Sequence, residues 1–497
     1  VAAHVEVERK YEVDSGFSLP DLREIPGLSA AAESRTHTLI AVYYDTLDLR
    51  LARRGITLRR RTGGSDDGWH LKLPKAKGVR DEIQRPAGAP GDPPPPELAD
   101  LVLAVTRGRP LVAVAEIRTD RTEHALPGRK GKVLAEVVDD SVTGIRLEPR
   151  DNGVTTWREL EVELVDGAQE VLDAIGDRLI DSGAQASDTP NKLSVVLGAD
   201  ALPGRRSAKM RTTAQAMSAY LGAQAARILS YDPRVRLADH DDDSVHKMRT
   251  SVRRFRSILR THRKVLDRAR TKPLRTELKW LADALGEVRD LEVLQARLRA
   301  QLADLPGPSS EPGWLLRMRH QELQARERLR KVLRSQRYLA LLDRIDAMVT
   351  DPPVRERAHK AARKQLPKIV TKARREMTDA YAEAEKATRD TDRNAALHET
   401  RKAAKRLRYT AEAAEPVLGK QASKIADRAE RLQDVLGDNQ DRIVAASRLE
   451  QIVPEPGATS DAYALGALTT LQRCGDPLTD LAKTWRKAAD PKLIKKL

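Results

Sequence analysis

Residues 5–11 read VEVERKY. In a strand, Glu6, Glu8 and Lys10 share one face and Val5, Val7 and Tyr11 the other, with Arg9 the exception. The same grammar returns at ITLRRR (56–61), where Arg59 and Arg61 share a face, and at ELEVEL (159–164), where Glu159, Glu161 and Glu163 oppose Leu160, Val162 and Leu164. HLKL (70–73), VAEIRT (114–119) and VLAEVV (133–138) are further period-two runs. Gly63-Gly64, Asp66-Asp67-Gly68 and Asp151-Asn152-Gly153 punctuate them as turns. Residues 168–182 predict one amphipathic helix, and Pro93 to Pro96 a loop.

Any half-buried sheet puts its charges in solvent and alternates in this way. Here each charged face repeats one chemistry, two carboxylates or two cations at i, i+2. Carboxylates that close repel unless a cation bridges them. Mg²⁺ takes one or two carboxylates and completes its octahedron with water and phosphate oxygens. Paired arginines suit bidentate phosphate. A closed sheet with acids on one inner wall and bases on another would hold a metal–triphosphate, and its interior would have to be wet or liganded.

The chain has 497 residues, enough for two or three domains, and its charge divides unevenly. Residues 1–200 hold 27 Lys/Arg against 34 Asp/Glu, and the remainder 62 against 39, so the second part should attract polyanions. Cys474 is the one cysteine, which excludes an internal disulfide framework and a cysteine metal cluster. With no run of about 20 apolar residues and no signal-peptide pattern at the start, the expectation is a cytoplasmic protein without a membrane partner. From about residue 212 the pattern becomes long helices, with breaks expected at Pro233, Pro306-Gly307-Pro308, Pro352-Pro353, Pro416 and Pro454 to Gly457.

Two segments of the helical half repeat. HKMRTSVRRFR (246–256) matches HETRKAAKRLR (398–408), and LADALGEVRD (281–290) matches LQDVLGDNQD (432–441), at offsets of 152 and 151. On a helix His246, Arg249, Arg253, Arg256 and Arg260 form a basic stripe, reinforced by Arg254. Val245, Met248, Val252, Phe255 and Leu259 form the apolar stripe beside it. In the second copy His398, Arg401, Lys405 and Arg408, with Arg406, border Leu397, Thr400, Ala404, Leu407 and Ala411. A solvated, salt-bridged face is the competing reading, but no acid lies within 245–260 to pair these cations. Nucleic acid is a weaker candidate partner than a phosphate-only polymer, because single-strand binders interleave aromatics with cations and only Phe255 and Tyr409 occur here.

The first 200 residues resemble the CYTH domain of the triphosphate tunnel metalloenzymes. The resemblance rests on Glu6-x-Glu8-x-Lys10, YYDT (43–46), DLRLARRGITLRRR (48–61), WHLKLP (69–74), EIRTDR (116–121), AEVVDD (135–140), ELEVEL and NKLSVVLG (191–198). It implies an antiparallel eight-stranded tunnel with a charged interior, in an α+β domain. By position, Lys10, Arg59, Arg61, Lys72, Arg118, Arg121 and Lys192 would grip a triphosphate. Glu6, Glu8, Glu161 and Glu163 would hold Mg²⁺ or Mn²⁺ and, with Lys10, form the catalytic set. Glu82, Glu136 and Asp139 would be supporting acids, Glu136 and Asp139 falling on opposite faces by parity. His70 reads as a substrate neighbour or packing residue. The implied activity is metal-dependent hydrolysis of a terminal phosphate, from inorganic triphosphate or a related compound, with cyclase and nucleoside triphosphatase as family alternatives. Residues 213–490 resemble the CHAD domain through the two His-led basic segments and the two LG-x₃-D segments. That resemblance implies an all-α bundle that binds inorganic polyphosphate, after a linker at 201–212. A polyphosphate-binding protein with a weak or vestigial tunnel is the other reading.

Overall fold

The structure, a computed structural model, describes the chain apart from residues 1–3, 30–33, 65, 77–78, 130, 149–152, 188, 190, 199–209, 238–242, 306–310, 455–457, 476–477 and 496, and apart from the side chains of 4–6 and 76. Two units separate at Arg206/Ser207. The expected linker at 201–212 and the breaks at 306–308 and 455–457 lie largely or wholly outside the described residues.

The first unit contains β1 (His4–Val13), β2 (Arg35–Asp45), β3 (Thr57–Thr62), β4 (Gly68–Ala76), β5 (Val79–Arg85), β6 (Val112–Pro127), β7 (Val133–Arg146), β8 (Val154–Leu164) and the two-residue β9 (Gln185–Ala186). Its helices are α1 (Pro96–Leu101), α2 (Leu103–Thr106), α3 (Gln169–Asp181) and α4 (Lys192–Leu197). The strands follow the antiparallel order β5-β4-β3-β2-β6-β7-β8-β1, and β1 returns to β5, so eight strands close on themselves. Closure removes the free edges of an open sheet. Two strands, β2 and β5, were not flagged by alternation. In β5 (VRDEIQR) charges fall at both parities, so no period of two is visible.

Directly opposed residues share a face, so the register decides what lies inside. Glu8 opposes Glu163, Lys10 opposes Glu161, and Glu12 opposes Glu159. Glu159 opposes Asp140, which opposes Arg121. Arg59 opposes His70, and Lys72 opposes Glu82. One continuous face therefore collects these charges. The opposite face of β1, β7 and β8 packs Tyr11, Val137, Leu160 and Val162 against Leu172, Ile175 and Leu179 of α3. Helix α3 covers the span expected from its amphipathic spacing.

The second unit is helical: α5 (Thr213–Leu237), α6 (Ser244–Thr261), α7 (Arg268–Ala303), α8 (Gly313–Arg334), α9 (Gln336–Thr350), α10 (Ala362–Lys386), α11 (Asp390–Leu418), α12 (Lys420–Leu449), α13 (Thr459–Cys474), α14 (Leu481–Ala488) and α15 (Lys492–Lys495). The repeated motifs lie on α6–α7 and again on α11–α12. Both apolar stripes are buried, with Met248, Val252, Phe255, Thr400 and Ala404 at 0% exposure. Pro233 and Pro416 do not break their helices. Each sits near the C-terminal end of α5 or α11 and costs its helix one N–H bond to the carbonyl four residues back. Pro352-Pro353 does follow a helix end, at Thr350.

Candidate functional site

In the barrel the acidic wall comes from β1, β7 and β8 and much of the basic wall from β3 and β4. Lys192 enters from α4, whose first turn is held by the Asn191 side chain accepting from Ser194 N at 2.9 Å. Its ammonium lies 2.7 Å from Glu159, 2.8 Å from Glu161 and 2.9 Å from Asp140. Arg121 donates through two nitrogens to Asp140, at 2.8 and 2.7 Å, and reaches Glu161 at 3.3 Å. Lys10 also contacts Glu161 and lies 3.7 Å from Glu8, while Arg80 donates to Glu8. Glu6 aligns with Arg80 in the backbone register. Glu163 and Glu136 are opposed across β7 and β8 and half-buried.

On the basic wall Arg59 donates to the Tyr43 hydroxyl at 3.3 Å, and Arg61 contacts Asp66. The Nε atoms of both arginines are buried without a hydrogen-bond partner. Lys72 lies 3.9 Å from Glu82, whose carboxylate is 2.7 Å from His70 Nδ1. His70 Nε2 is 2.8 Å from the Asp66 carbonyl, so this 1%-exposed histidine is fixed at both nitrogens. His70 thus packs in the barrel wall, bound to Glu82.

The electrostatics follow from burial and crowding. Burial opposes ionisation of Glu161, but Lys10, Lys192 and Arg121 outweigh it and hold the carboxyl well below its usual range. Asp140 and Glu8 are lowered by the same balance. Glu82 falls to about 2: burial pushes it up, and His70, Lys72 and Arg59 push it further down. Arg61 is pulled down to about 9 by burial, with Arg59 and Arg121 adding repulsion. Burial raises Glu136, with Glu123 adding to it.

Two residues of the expected set are not brought to this interior. Arg118 is on the outer face, its side chain 62% exposed and 4.0 Å from Asp120. Asp139 is also outside, where Arg158 donates to both its oxygens at 2.9 and 2.7 Å. Alternation explains both: Arg118 has opposite parity to Arg121, and Asp139 to Asp140. Sequence reasoning missed Asp140, Glu159, Arg80 and Tyr43. Glu159 was legible, since it shares a face with Glu161 and Glu163. Arg80 was not, because β5 lacks alternation.

The donor chemistry fits a divalent ion. Asp140, Glu159 and Glu161 each offer a carboxylate oxygen, and these lie within 4.8 Å of one another. Such hard oxygens are what Mg²⁺ and Mn²⁺ take.

In the helical unit the two basic stripes converge. Lys405 is brought down to about 6 by burial and by repulsion from Arg253, Arg401 and Arg249, two of them from the other copy. Arg253 donates to the buried Tyr409 hydroxyl at 3.2 Å. Farther along, Arg406 feels Arg260 and lies 3.6 Å from Glu376. A cavity of about 360 Å³ is lined there by Arg260, Arg263, Lys372 and Arg406, with Glu376 and Asp379. Acids pair part of the set: Glu412 accepts from Arg408, four residues before it on α11, and from Arg254 of α6, both at 2.9 Å, and Asp290 of α7 accepts from Arg249 at 2.8 Å. Arg256 and His398 are half-buried, and His246 is exposed. No helix among the described residues is long and apolar enough to cross a membrane.

The CYTH domain family matches residues 4–187 and the CHAD domain family residues 219–450. The chain is 37% identical to the uncharacterized protein Rv2226 of Mycobacterium tuberculosis, over 98% of both chains. Among solved structures it is similar to the CHAD domain of the plant Ricinus communis, at 23% identity and TM-score 0.47, covering 56% of this chain and 92% of that one. It is also similar to HpAC1 from Hippeastrum, described as having a dominant triphosphatase activity, at 18% identity and TM-score 0.25, covering 39% and 95%. CYTH proteins include triphosphatases and cyclases that use divalent metals, and CHAD domains bind polyphosphate. A closed barrel with a charged interior, joined to a duplicated helical unit with converging cations, belongs to the proteins that carry a CYTH domain followed by a CHAD domain.

Proposed function

We propose that the barrel hydrolyses the terminal phosphate of inorganic triphosphate or a closely related triphosphate, and that the helical unit binds inorganic polyphosphate. The observation that carries the first part is the cluster of charges inside one closed sheet: Arg59, Arg61 and Lys72 on β3 and β4, with Glu82 beside Lys72, and Glu8, Asp140, Glu159 and Glu161 on β1, β7 and β8, interleaved with Lys10, Arg121 and Lys192. A divalent cation held by these carboxylates would neutralise phosphate oxygens and polarise the phosphorus, with Glu163 opposite Glu8 in the register. Arg59 and Arg61 carry buried, unpartnered Nε donors beside each other, a costly arrangement that a multivalent anion relieves. Lys72 adds charge from the adjoining β4, and Lys10 from β1. Glu8 or Glu163, opposed in the register, accepts a proton from the attacking water. Positioning and charge neutralisation are most of what phosphoryl transfer requires.

The polyphosphate half rests on Arg249, Arg253, Arg401 and Lys405 gathering around one point. A polymer of phosphates needs cations and no base-reading aromatics, which disfavours nucleic acid here. One observation favours a second reading, a binding protein with a weak tunnel. Lys192, Lys10 and Arg121 already neutralise the acidic group, so the carboxylates are satisfied by the chain itself.

The test is phosphate release from tripolyphosphate with Mg²⁺ or Mn²⁺, beside ATP, thiamine triphosphate and long-chain polyphosphate, with Glu161→Gln as control. Turnover that needs metal and is lost in the control supports the enzyme. Absence of turnover on every substrate, with salt-sensitive polyphosphate binding retained, selects the second reading.

A further inference from the structure

The helical unit contains two buried glycines in the middle of long helices, Gly286 on α7 and Gly437 on α12. Glycine costs about 1 kcal/mol relative to alanine in a helix interior, so each position calls for a compensating reason. The same neighbour is found twice. A Cβ at Gly286 would lie 3.0 Å from one terminal nitrogen of Arg249 and 3.3 Å from its Cζ and Nε. A Cβ at Gly437 would lie 3.0 Å from the equivalent nitrogen of Arg401 and 3.4 Å from its Cζ and Nε. Both guanidinium groups thus lie against bare helix backbone. One turn later an acid takes the other terminal nitrogen: Asp290 at 2.8 Å from Arg249, and Asp441 at 3.7 Å from Arg401.

We propose that the two LG-x₃-D segments are seats for Arg249 and Arg401, and that Gly286 and Gly437 are positioning residues of the polyanion site. The inference rests on the polyphosphate reading given above. An arginine side chain is long and free, and fixing it on binding costs about 1.5–2 kcal/mol of rotamer freedom. A glycine below and an aspartate at one end fix the guanidinium before the ligand arrives, which is preorganisation. The duplication then has a physical content. Each half supplies a cation stripe and the helix surface that holds the other side of its arginine, and Arg249 and Arg401 both crowd Lys405 at the meeting point of the copies.

The experiment measures binding of inorganic polyphosphate of defined length by calorimetry at two salt concentrations, for Gly286→Ala, Gly437→Ala, Arg249→Gln, Arg401→Gln and each Gly/Arg pair on one chain. Alanine forces the guanidinium to give way by a few tenths of an ångström and loosens its hold. The expected loss is about 2- to 5-fold per seat, a partial loss of a charge-assisted hydrogen bond. Alanine is also the better helix former, so the melting temperature should stay level or rise. Weaker binding without lost stability is a signature that a merely structural glycine does not give. The Gly→Ala change should add nothing when the arginine beneath it is already glutamine. Wild-type affinity in both alanine variants, with weakened Arg→Gln variants, overturns the seats and leaves the polyphosphate reading standing. Wild-type affinity in both Arg→Gln variants overturns that reading of the stripe and the seats with it.

Discussion

Lys192 offers the sharpest perturbation of the barrel. Its ammonium touches three carboxylates at 2.7–2.9 Å. Each contact is worth about 6 kcal/mol at an effective dielectric of about 20. Desolvation of the buried groups and repulsion from Lys10 and Arg121 cancel much of that sum, and removing one partner from a buried ion network costs about 3–5 kcal/mol. Lys192→Met deletes the charge and keeps most of the volume. In EDTA the variant should lose about 10²- to 10⁴-fold of its hydrogen-exchange protection in β7 and β8, at 1.4 kcal/mol per tenfold. Millimolar Mg²⁺ or Mn²⁺ should restore protection, because the ion then takes the place of the ammonium among Asp140, Glu159 and Glu161. Mn²⁺ affinity, read by electron paramagnetic resonance of the free ion, should rise relative to wild type. Unchanged protection in EDTA would show that the ion network is not holding these strands. Lost protection that no divalent ion restores, with Mn²⁺ affinity unchanged, would refute the argument that lysine and metal share the acidic trio.

Other outcomes follow from the same geometry. Arg118→Ala should leave KM for tripolyphosphate unchanged, because its side chain is outside, whereas Arg59→Ala should raise it at least tenfold; equal effects would overturn the assignment of faces. Lys405, held at about 6 in the free protein, regains its proton beside a polyanion, so binding near pH 8 should take up a proton and weaken as pH rises from 6. Calorimetry in buffers of different ionisation enthalpy reads this uptake, and Lys405→Gln should remove it. Glu82, depressed to about 2, stabilises the fold above its unfolded value near 4.5, and that contribution disappears as pH falls from about 4.5 to about 2. Glu82→Gln should therefore flatten the acid limb of the barrel's unfolding curve. Phe255→Ala, at a fully buried position, should cost the helical unit about 3–5 kcal/mol, measured by urea unfolding of that transition.

Alternation in VEVERKY and ELEVEL was enough to mark strands with one charged and one apolar face, because a pleated chain sends successive side chains to opposite sides. The 3–4 spacing from His246 to Arg260 and from His398 to Arg408 was enough to mark two matching helices with adjacent basic and apolar stripes. These are local periodicities, and a sequence carries them directly. Which charged residues meet is set by pairing between strands far apart in the chain. Parity within β6 and β7 could divide Arg118 from Arg121 and Asp139 from Asp140, but only the register identified the inner member of each pair. Strand β5 hid Arg80 because its charges fall on both faces. The acids that pair Arg254 and Arg249 come from α11 and α7, up to 158 residues away, so no local window contained them, whereas Glu412, four residues after Arg408 on the same helix, was in local view. The glycines of the LG-x₃-D segments were visible as a repeated motif. Their reason, an arginine lying where a Cβ would be, exists only once α6 packs on α7 and α11 on α12.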